Sequence, residues 1–302
     1  MRAVGLHEDV IAVTSRAYAT GCVLVRNGGE AFCIDSPVFP DELEILPAVA
    51  EQSSFAIVGV LATHADWDHL LGGLAFPGAP LGAAESTAAR LINEPGAAQR
   101  ELRDFDDEFY VERPKPLSLP GAQKLDVPGY VDIGAEALEL HPADGHTADG
   151  TAFWAPWARV LVAGDYLSPV EIPMISDGGS VSAYIATLNR LEPLVSQADH
   201  VVPGHGGPID GTRALAILRE DRAVPRSIVS PSLRTARSTR TPLCQVPLRL
   251  PSSSRYVWPS WRTISACRRE TEGSSISTSA LRLRPRRVTV PITGTSVSSA
   301  SR

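Results

Sequence analysis

The chain has 302 residues, 43% of them hydrophobic, and a net charge of −6, so it is long enough to bury a sizeable core. The N-terminus lacks a basic segment followed by a long apolar run, and no stretch reaches the roughly 20 apolar residues that span a bilayer. The four cysteines form no CxxC pair, which is typical of buried thiols in a reducing compartment. The sequence therefore predicts a cytoplasmic globular protein with no membrane partner.

The first part of the chain predicts antiparallel strands. VIAVTS, GCVLVRN and EAFCIDS are short apolar runs, and an Asn-Gly-Gly turn at residues 27–29 separates the last two, as in a hairpin. DELEILPAVAEQ has the acidic start and the apolar spacing of a helix. The almost wholly apolar run FAIVGVLAT then predicts a buried strand that carries His64 at its end.

Strands and helices alternate in the rest of the first 222 residues. The predicted elements are a short helix from His69, the strand APLGAAE, the strands ALELHPA and ARVLVAGD, a helix over SVSAYIATLNRLEPLVSQ and the strand HVVPGHGGP. Residues 93–123 are charged and less regular, which predicts an insertion or a lid. Alternation after an antiparallel start is typical of a layered α/β sandwich.

The last part of the chain has a different composition. Residues 1–222 carry 14 basic and 32 acidic residues, whereas residues 223–302 carry 14 basic and 2 acidic ones and no Lys or Asp. This irregular, basic tail is rich in Arg, Ser and Pro and has no sustained helical or strand period. It is either a disordered segment that binds a polyanion or an out-of-frame translation, and the abrupt end of the helical pattern RALAILREDRA favours the second. We therefore predict a catalytic domain over residues 1–222 and a low-order tail over 223–302.

Four short glycine-flanked turns carry most of the chemistry in the sequence. THADWDH, DGHTADG, AGDYLS and PGHGG each end or follow a predicted strand, where a rigid scaffold presents side chains to substrate. Imidazole and carboxylate together suit zinc, iron or manganese. The candidate metal ligands are His64, Asp66, Asp68, His69, His146, Asp165 and His205. One such residue is usually a plain turn residue, but four such turns in this order favour a metal site.

These turns resemble the metal-binding motifs of the metallo-β-lactamase superfamily. THADWDHLLGG is similar to the HxHxDH signature, and DGHTADG, GDYLS and PGHGG are similar to the later ligand motifs, in the same order. The resemblance covers roughly residues 10–222 and implies a four-layer αβ/βα sandwich with two divalent metal ions at the sheet edges. It implies that His64, position 66 and His146 hold one ion, that Asp68, His69 and His205 hold the other, and that Asp165 bridges them.

Asp66 departs from the family pattern, which has His at this position. A carboxylate adds negative charge to the first site and favours iron or manganese relative to zinc, although zinc is the expected ion of the family. Alternatively, Asp66 is turned away and the first site is weak or empty. Asp35 is predicted either to support a ligand or to be a plain strand-end residue, and Tyr166 either to reach substrate or to pack over the site.

The resemblance also implies a reaction. A metal-bound hydroxide would attack the substrate, and Asp68 would orient it and accept its proton as the catalytic residue. DGHTADG is similar to the PGHTxG turn of glyoxalase II-like thioester hydrolases, so we expect cleavage of a small ester, thioester or lactone. The acidic body opposes nucleic-acid binding. Two alternatives remain, a diiron redox protein that needs a flavin-carrying partner and a metal-binding protein without catalysis.

Overall fold

The computed structural model describes residues 1–119 and 121–223. The hypothesis about the tail falls on residues 224–302, which lie outside the described residues.

The fold is built on two β-sheets. The first contains β1 Arg2–His7, β2 Val10–Thr14, β3 Gly21–Asn27, β4 Glu30–Asp35, β5 Ile57–Leu61, β6 Leu81–Ala84 and β7 Gln123–Leu125. The second contains β8 Gly129–Ile133, β9 Glu136–Pro142, β10 Thr151–Ala155, β11 Val160–Val162, β12 His200–Val202 and β13 Ile209–Asp210.

Helices cover both sheets. They are α1 Pro40–Gln52, α2 Gly72–Ala75, α3 Glu85–Asn93, α4 Ala97–Phe109, α5 Val181–Val195 and α6 Gly211–Ala223. One buried apolar cluster joins the first sheet to α1, α2 and α4, and a second joins the other sheet to α5 and α6. The opposite faces of the strands are also buried, as Val23, Ile34 and Phe153 show. This arrangement confirms the predicted layered α/β sandwich.

The strand order brings several chain turns to one edge of each sheet. The first sheet runs in the order β1 to β7, antiparallel up to β4 and parallel from β4 to β7. In the second sheet β11 and β12 form a parallel pair. Because parallel neighbours end at the same edge, the residues that follow β4 and β5 lie together, as do those that follow β11 and β12.

The stretch from residue 93 to 123 is more regular than the sequence predicted. It contains the 13-residue helix α4, whose buried residues are Ala98, Leu102 and Phe105. These follow the i, i+4, i+7 spacing of an amphipathic helix, and the high charge of the other positions hid that stripe. The expectation that this stretch lacks regular structure was therefore wrong over α4, while its interpretation as an insertion or a lid stays a prediction. None of the helices in the described part of the chain is long and apolar enough to cross a membrane.

Glu42 holds the start of α1 and is 1% exposed. Its carboxylate accepts hydrogen bonds from the Ser15 hydroxyl at 2.6 Å and from the backbone N–H groups of Arg16 and Phe39 at 3.0 and 3.3 Å. Burial alone would raise the pKa of Glu42, but hydrogen bonds from Ser15, from the N-terminal amino group of Met1 and from the backbone and side chain of Arg16 outweigh it and lower the pKa to about 2. The ionised carboxylate therefore stabilises this end of the helix.

We expect Glu42→Ala to lower the free energy of unfolding by about 3 kcal/mol near neutral pH, because several charge-assisted hydrogen bonds are lost. The pKa is lower in the folded chain than its ordinary value of 4.5, so the contribution of Glu42 is complete above that value and is lost as the pH falls toward 2. Denaturant unfolding of both proteins across this range measures it. A difference in stability that stays constant with pH would contradict the prediction.

Candidate metal centre

The predicted ligands come from turns that follow strands of both sheets. His64 lies just beyond β5 and Asp165 just beyond β11, while His205 follows β12 and His146 lies between β9 and β10. Backbone hydrogen bonds join the two sheets here, from Thr151 N to Thr63 O at 2.8 Å and from Gly21 N to Gly204 O at 2.6 Å. The two halves of the fold therefore meet at the site and hold its turns against each other.

The structure brings all seven predicted ligands together in two groups that could each hold a metal ion. In each group, one donor atom per residue lies within 4.8 Å of the others. The first group is His64, Asp66, His146 and Asp165, and the second is Asp68, His69 and His205. The grouping matches the division that the family resemblance implies. Asp66 is not turned away, because its Oδ2 lies 3.6 Å from His64 Nε2 and 3.4 Å from His146 Nε2.

Asp165 stands between the two groups. Its Oδ2 lies 3.1 Å from His146 Nε2, 3.6 Å from His64 Nε2 and 3.4 Å from His205 Nε2. Its Oδ1 lies 3.2 Å from His69 Nε2. The backbone of Gly204 packs so closely that a Cβ there would lie 2.0 Å from Asp165 Oδ1, so only glycine fits at this position. This placement is the one expected of a carboxylate shared by two ions.

Backbone carbonyls orient two of the histidines. His146 Nδ1 lies 2.8 Å from the Met174 carbonyl oxygen, and His205 Nδ1 lies 3.1 Å from the Tyr18 carbonyl oxygen. A carbonyl only accepts, so each Nδ1 carries the proton that it donates. In the neutral ring, which is the form that binds metal, the free lone pair is then on Nε2, and each Nε2 points to the centre of the cluster.

Asp35 and Thr63 orient the other two histidines. Asp35 Oδ2 accepts from His69 Nδ1 at 3.0 Å and from the Thr63 hydroxyl at 2.8 Å, while Oδ1 accepts from Thr63 N at 2.8 Å. The Thr63 oxygen lies 2.9 Å from His64 Nδ1 and can accept its proton, since the Thr63 hydrogen is given to Asp35. Of the two readings of Asp35, the contacts favour support of a ligand.

Tyr166 packs and does not face the cleft. Its ring is 1% exposed and stacks on Tyr184 at 4.4 Å between centroids. Its hydroxyl donates to the Asp144 carbonyl at 2.7 Å and accepts from His146 N at 3.1 Å. Tyr166 therefore holds the turn that carries His146, which favours the packing interpretation over substrate contact.

The electrostatics of the cluster favour bound positive charge. Burial lowers the pKa values of His64, His146 and His205, but the nearby carboxylates, above all Asp165, raise them to about 9, 10 and 9. Burial raises the pKa of Asp165, but the surrounding histidines hold it well below its usual range. Asp165 thus stays ionised and attracts cations to the cluster.

The donor set fits a pair of divalent cations. His64 Nε2, His69 Nε2 and Asp165 Oδ1 are buried and have no hydrogen-bond partner in the structure, which is costly for buried polar atoms unless something else binds them. All three atoms point to the same cluster. Nitrogen and carboxylate oxygen are ligands of zinc, iron and manganese, so the unsatisfied atoms are those that a metal pair would use.

Two residues that the sequence did not predict support the cluster, Arg90 by direct contact with Asp66, and Asp149 through Arg90. Arg90 of α3 donates from Nη1 to Asp66 Oδ1 at 2.8 Å and to Asp149 Oδ1 at 3.0 Å. Asp149 is 2% exposed, and its Oδ2 accepts from Ala65 N at 2.9 Å. Asp149 belongs to the DGHTADG motif and could have been found there, but no local pattern points to Arg90.

Together, the two-sheet sandwich and the paired His/Asp groups at its edge define a class of metal-dependent hydrolase folds. A family model described as "Metallo-beta-lactamase superfamily" matches residues 16–205, and the chain belongs to this superfamily. Membership supports metal-dependent hydrolysis in general, and superfamily members typically bind divalent metals. It also confirms the predicted resemblance and fold class. A search of curated proteins found no match.

Solved structures of the same fold are similar over most of their length. The DIM-1 metallo-β-lactamase exposed to ceftazidime is 20% identical, with 74% of this chain and 94% of that chain covered and a TM-score of 0.54. A metallo-β-lactamase family protein from Thermus thermophilus is 21% identical, with 72% of this chain and 80% of that chain covered and a TM-score of 0.56. A β-lactamase domain protein from Burkholderia ambifaria is 18% identical, with 73% of this chain and 74% of that chain covered and a TM-score of 0.58. At these identities the likeness establishes the fold alone.

Proposed function

We propose that this chain hydrolyses a small ester, thioester or lactone with two divalent metal ions, as glyoxalase II-like members of the superfamily do. One observation carries the proposal: four histidine Nε2 atoms and three aspartates converge at the sheet edges. Zinc is the expected ion, with iron or manganese as alternatives because of Asp66. His64, Asp66 and His146 would hold one ion, Asp68, His69 and His205 the other, and Asp165 would bridge them.

A cleft beside the cluster can hold a small substrate. Its volume is about 420 Å³, and its lining includes Asp66, Asp68, Asp165 and His205 together with Tyr18. Divalent cations bound there would make a water more acidic and polarise a carbonyl oxygen. Asp68 is one of the carboxylates that line this cleft, and its Oδ2 accepts a hydrogen bond from the Thr20 hydroxyl at 3.3 Å. Its role is to orient the attacking water and accept its proton.

The charge of the cleft restricts the substrate. Besides the ligand carboxylates, Glu101, Glu171 and Asp177 line it, and Arg90 is the one Lys or Arg among its described lining residues. Arg90 is already paired with Asp66 and Asp149. Away from the metal centre, no free Lys or Arg of the described lining is therefore left to bind a second anionic group of a substrate, and Glu101, Glu171 and Asp177 would repel such a group.

Metal dependence tests the proposed function. We expect metal-loaded protein to cleave a neutral aryl ester, thioester or lactone, chelated protein to lose this activity, and reloading to restore it. Asp68→Asn should reduce kcat by about 100-fold or more, because general-base catalysis typically contributes that much, while circular dichroism shows an intact fold. Two bound ions without turnover of any substrate class would overturn the proposal and favour a metal-binding protein without catalysis.

The charge of the cleft makes a separate prediction. We expect Glu101→Gln to raise kcat/KM for an anionic acyl substrate by about 3–10-fold, because one like charge at the cleft is removed. A neutral substrate of the same size should change by less than about twofold. The matched control is Glu136→Gln, an exposed residue at the start of β9. Equal changes for both substrates, or an equal effect of the control, would contradict the prediction.

A further inference from the structure

Asp66 divides its two carboxylate oxygens between two kinds of partner. Its Oδ2 faces His64 and His146 in the first ligand group. Its Oδ1 accepts a hydrogen bond from Arg90 Nη1 at 2.8 Å. Only one oxygen of Asp66 is thus turned to the histidines, which is also what an imidazole at this position would offer.

Arg90 is itself fixed by a closed set of contacts. Its Nη1 also donates to Asp149 Oδ1 at 3.0 Å, and its Nε donates to Glu94 Oε2 at 3.3 Å. The other oxygen of Asp149 accepts from Ala65 N, the residue before Asp66. These bonds tie the turn that carries Asp66 to the turn that carries His146, because Asp149 lies three positions after that histidine.

We propose that Arg90 and Asp149 are positioning residues that let an aspartate act as a one-oxygen metal ligand at position 66. The Arg90 guanidinium occupies Oδ1, offsets part of the added negative charge, and leaves Oδ2 for the metal. Position 66 and position 90 are then functionally paired. With an imidazole at 66, Arg90 would keep Asp149 and Glu94 but would lose the carboxylate at position 66, and its charge beside the ion would be less compensated.

Metal affinity measured site by site tests the pairing. The inference rests on the proposed function only through the metal centre, so the assay is competition with a chromogenic chelator, with cobalt absorption as a second readout. We expect Arg90→Gln to lower the binding affinity of one of the two ions about 10–100-fold and to change the affinity of the other by less than about threefold. Arg103→Gln on α4, an exposed arginine, is the matched control. Arg90→Lys, which keeps the charge, should recover part of the loss.

The double substitution separates pairing from general damage. We expect Asp66→His to weaken the first site more in the presence of Arg90 than in Arg90→Gln, by about tenfold, because the two residues are coupled. Independent effects of the two substitutions, or equal weakening of both ions by Arg90→Gln, would overturn the proposal. If the unsubstituted chain binds no metal, the proposed function fails as well. If metal binds and Arg90 is uncoupled, only this inference fails.

Discussion

We expect Asp165→Ala to bind neither metal ion with the affinity of the unsubstituted chain and to lose turnover. Among the described carboxylates, Asp165 is the one that contacts histidines of both groups, with Oδ1 toward His69 and Oδ2 toward His64, His146 and His205. Removing it would deprive each ion of a ligand and would take away the carboxylate that lies among all four imidazoles. Both affinities should therefore fall by more than about 100-fold, the upper range for residues that only support a ligand.

A longer carboxylate cannot replace Asp165. The space beside Oδ1 is filled by the backbone of Gly204 and Gly164, so the extra methylene of Asp165→Glu would displace both oxygens from the histidines. We expect Asp165→Glu to retain no more than one ion.

Elemental analysis and chelator competition measure both variants. Asp199→Ala is the control, because its side chain is 59% exposed and its one ion pair among the described residues is with the exposed Arg159. Retention of two ions by Asp165→Ala at unsubstituted affinity would mean that the aspartate does not bridge them.

Much of the fold could be predicted because its elements follow local rules. The hairpin of β3 and β4 follows from two apolar runs around Gly28 and Gly29, and the structure pairs Asn27 with Glu30 across that turn. The helix α5 follows from its apolar spacing and its Ser180 cap. Elements without such signals were not predicted: β1 is largely exposed, and β10 is a wholly buried run beside a ligand turn.

The residues of the site also fall into those that the sequence could predict and those that it could not. Its ligands lie in short turns whose composition is unusual, so they could be found one by one and joined through the family resemblance. The partners that orient them are distant in the chain, since Asp35 is 34 residues from His69 and Arg90 is 59 from Asp149. Contacts of this range leave no periodicity in the sequence, and only the fold establishes them.

Asp35→Asn is expected to lower the binding affinity for the ion held by Asp68, His69 and His205 about 10–100-fold, the range typical of residues that orient a ligand. Asp35 Oδ2 now accepts a hydrogen bond from His69 Nδ1, which keeps the proton on Nδ1 and the Nε2 lone pair free. An asparagine whose Oδ1 still accepts from Thr63 N would turn its amide N–H toward His69. That group can only donate, so it favours the tautomer with the proton on Nε2.

The backbone should tolerate this substitution. Asp35 has a φ of 56°, in the left-handed region that asparagine adopts about as readily as aspartate. Loss of metal without loss of fold is therefore expected, in contrast to a substitution that disturbs the end of β4.

Cobalt-loaded protein reports the change directly, because the absorption of one ion should weaken while that of the other persists. Asp104→Asn, an exposed aspartate of α4, is the matched control and should bind both ions normally. Normal cobalt binding at both sites in Asp35→Asn would show that His69 keeps its tautomer without the carboxylate. A matched loss of both ions would show instead that Asp35 supports the whole cluster through Thr63 and His64.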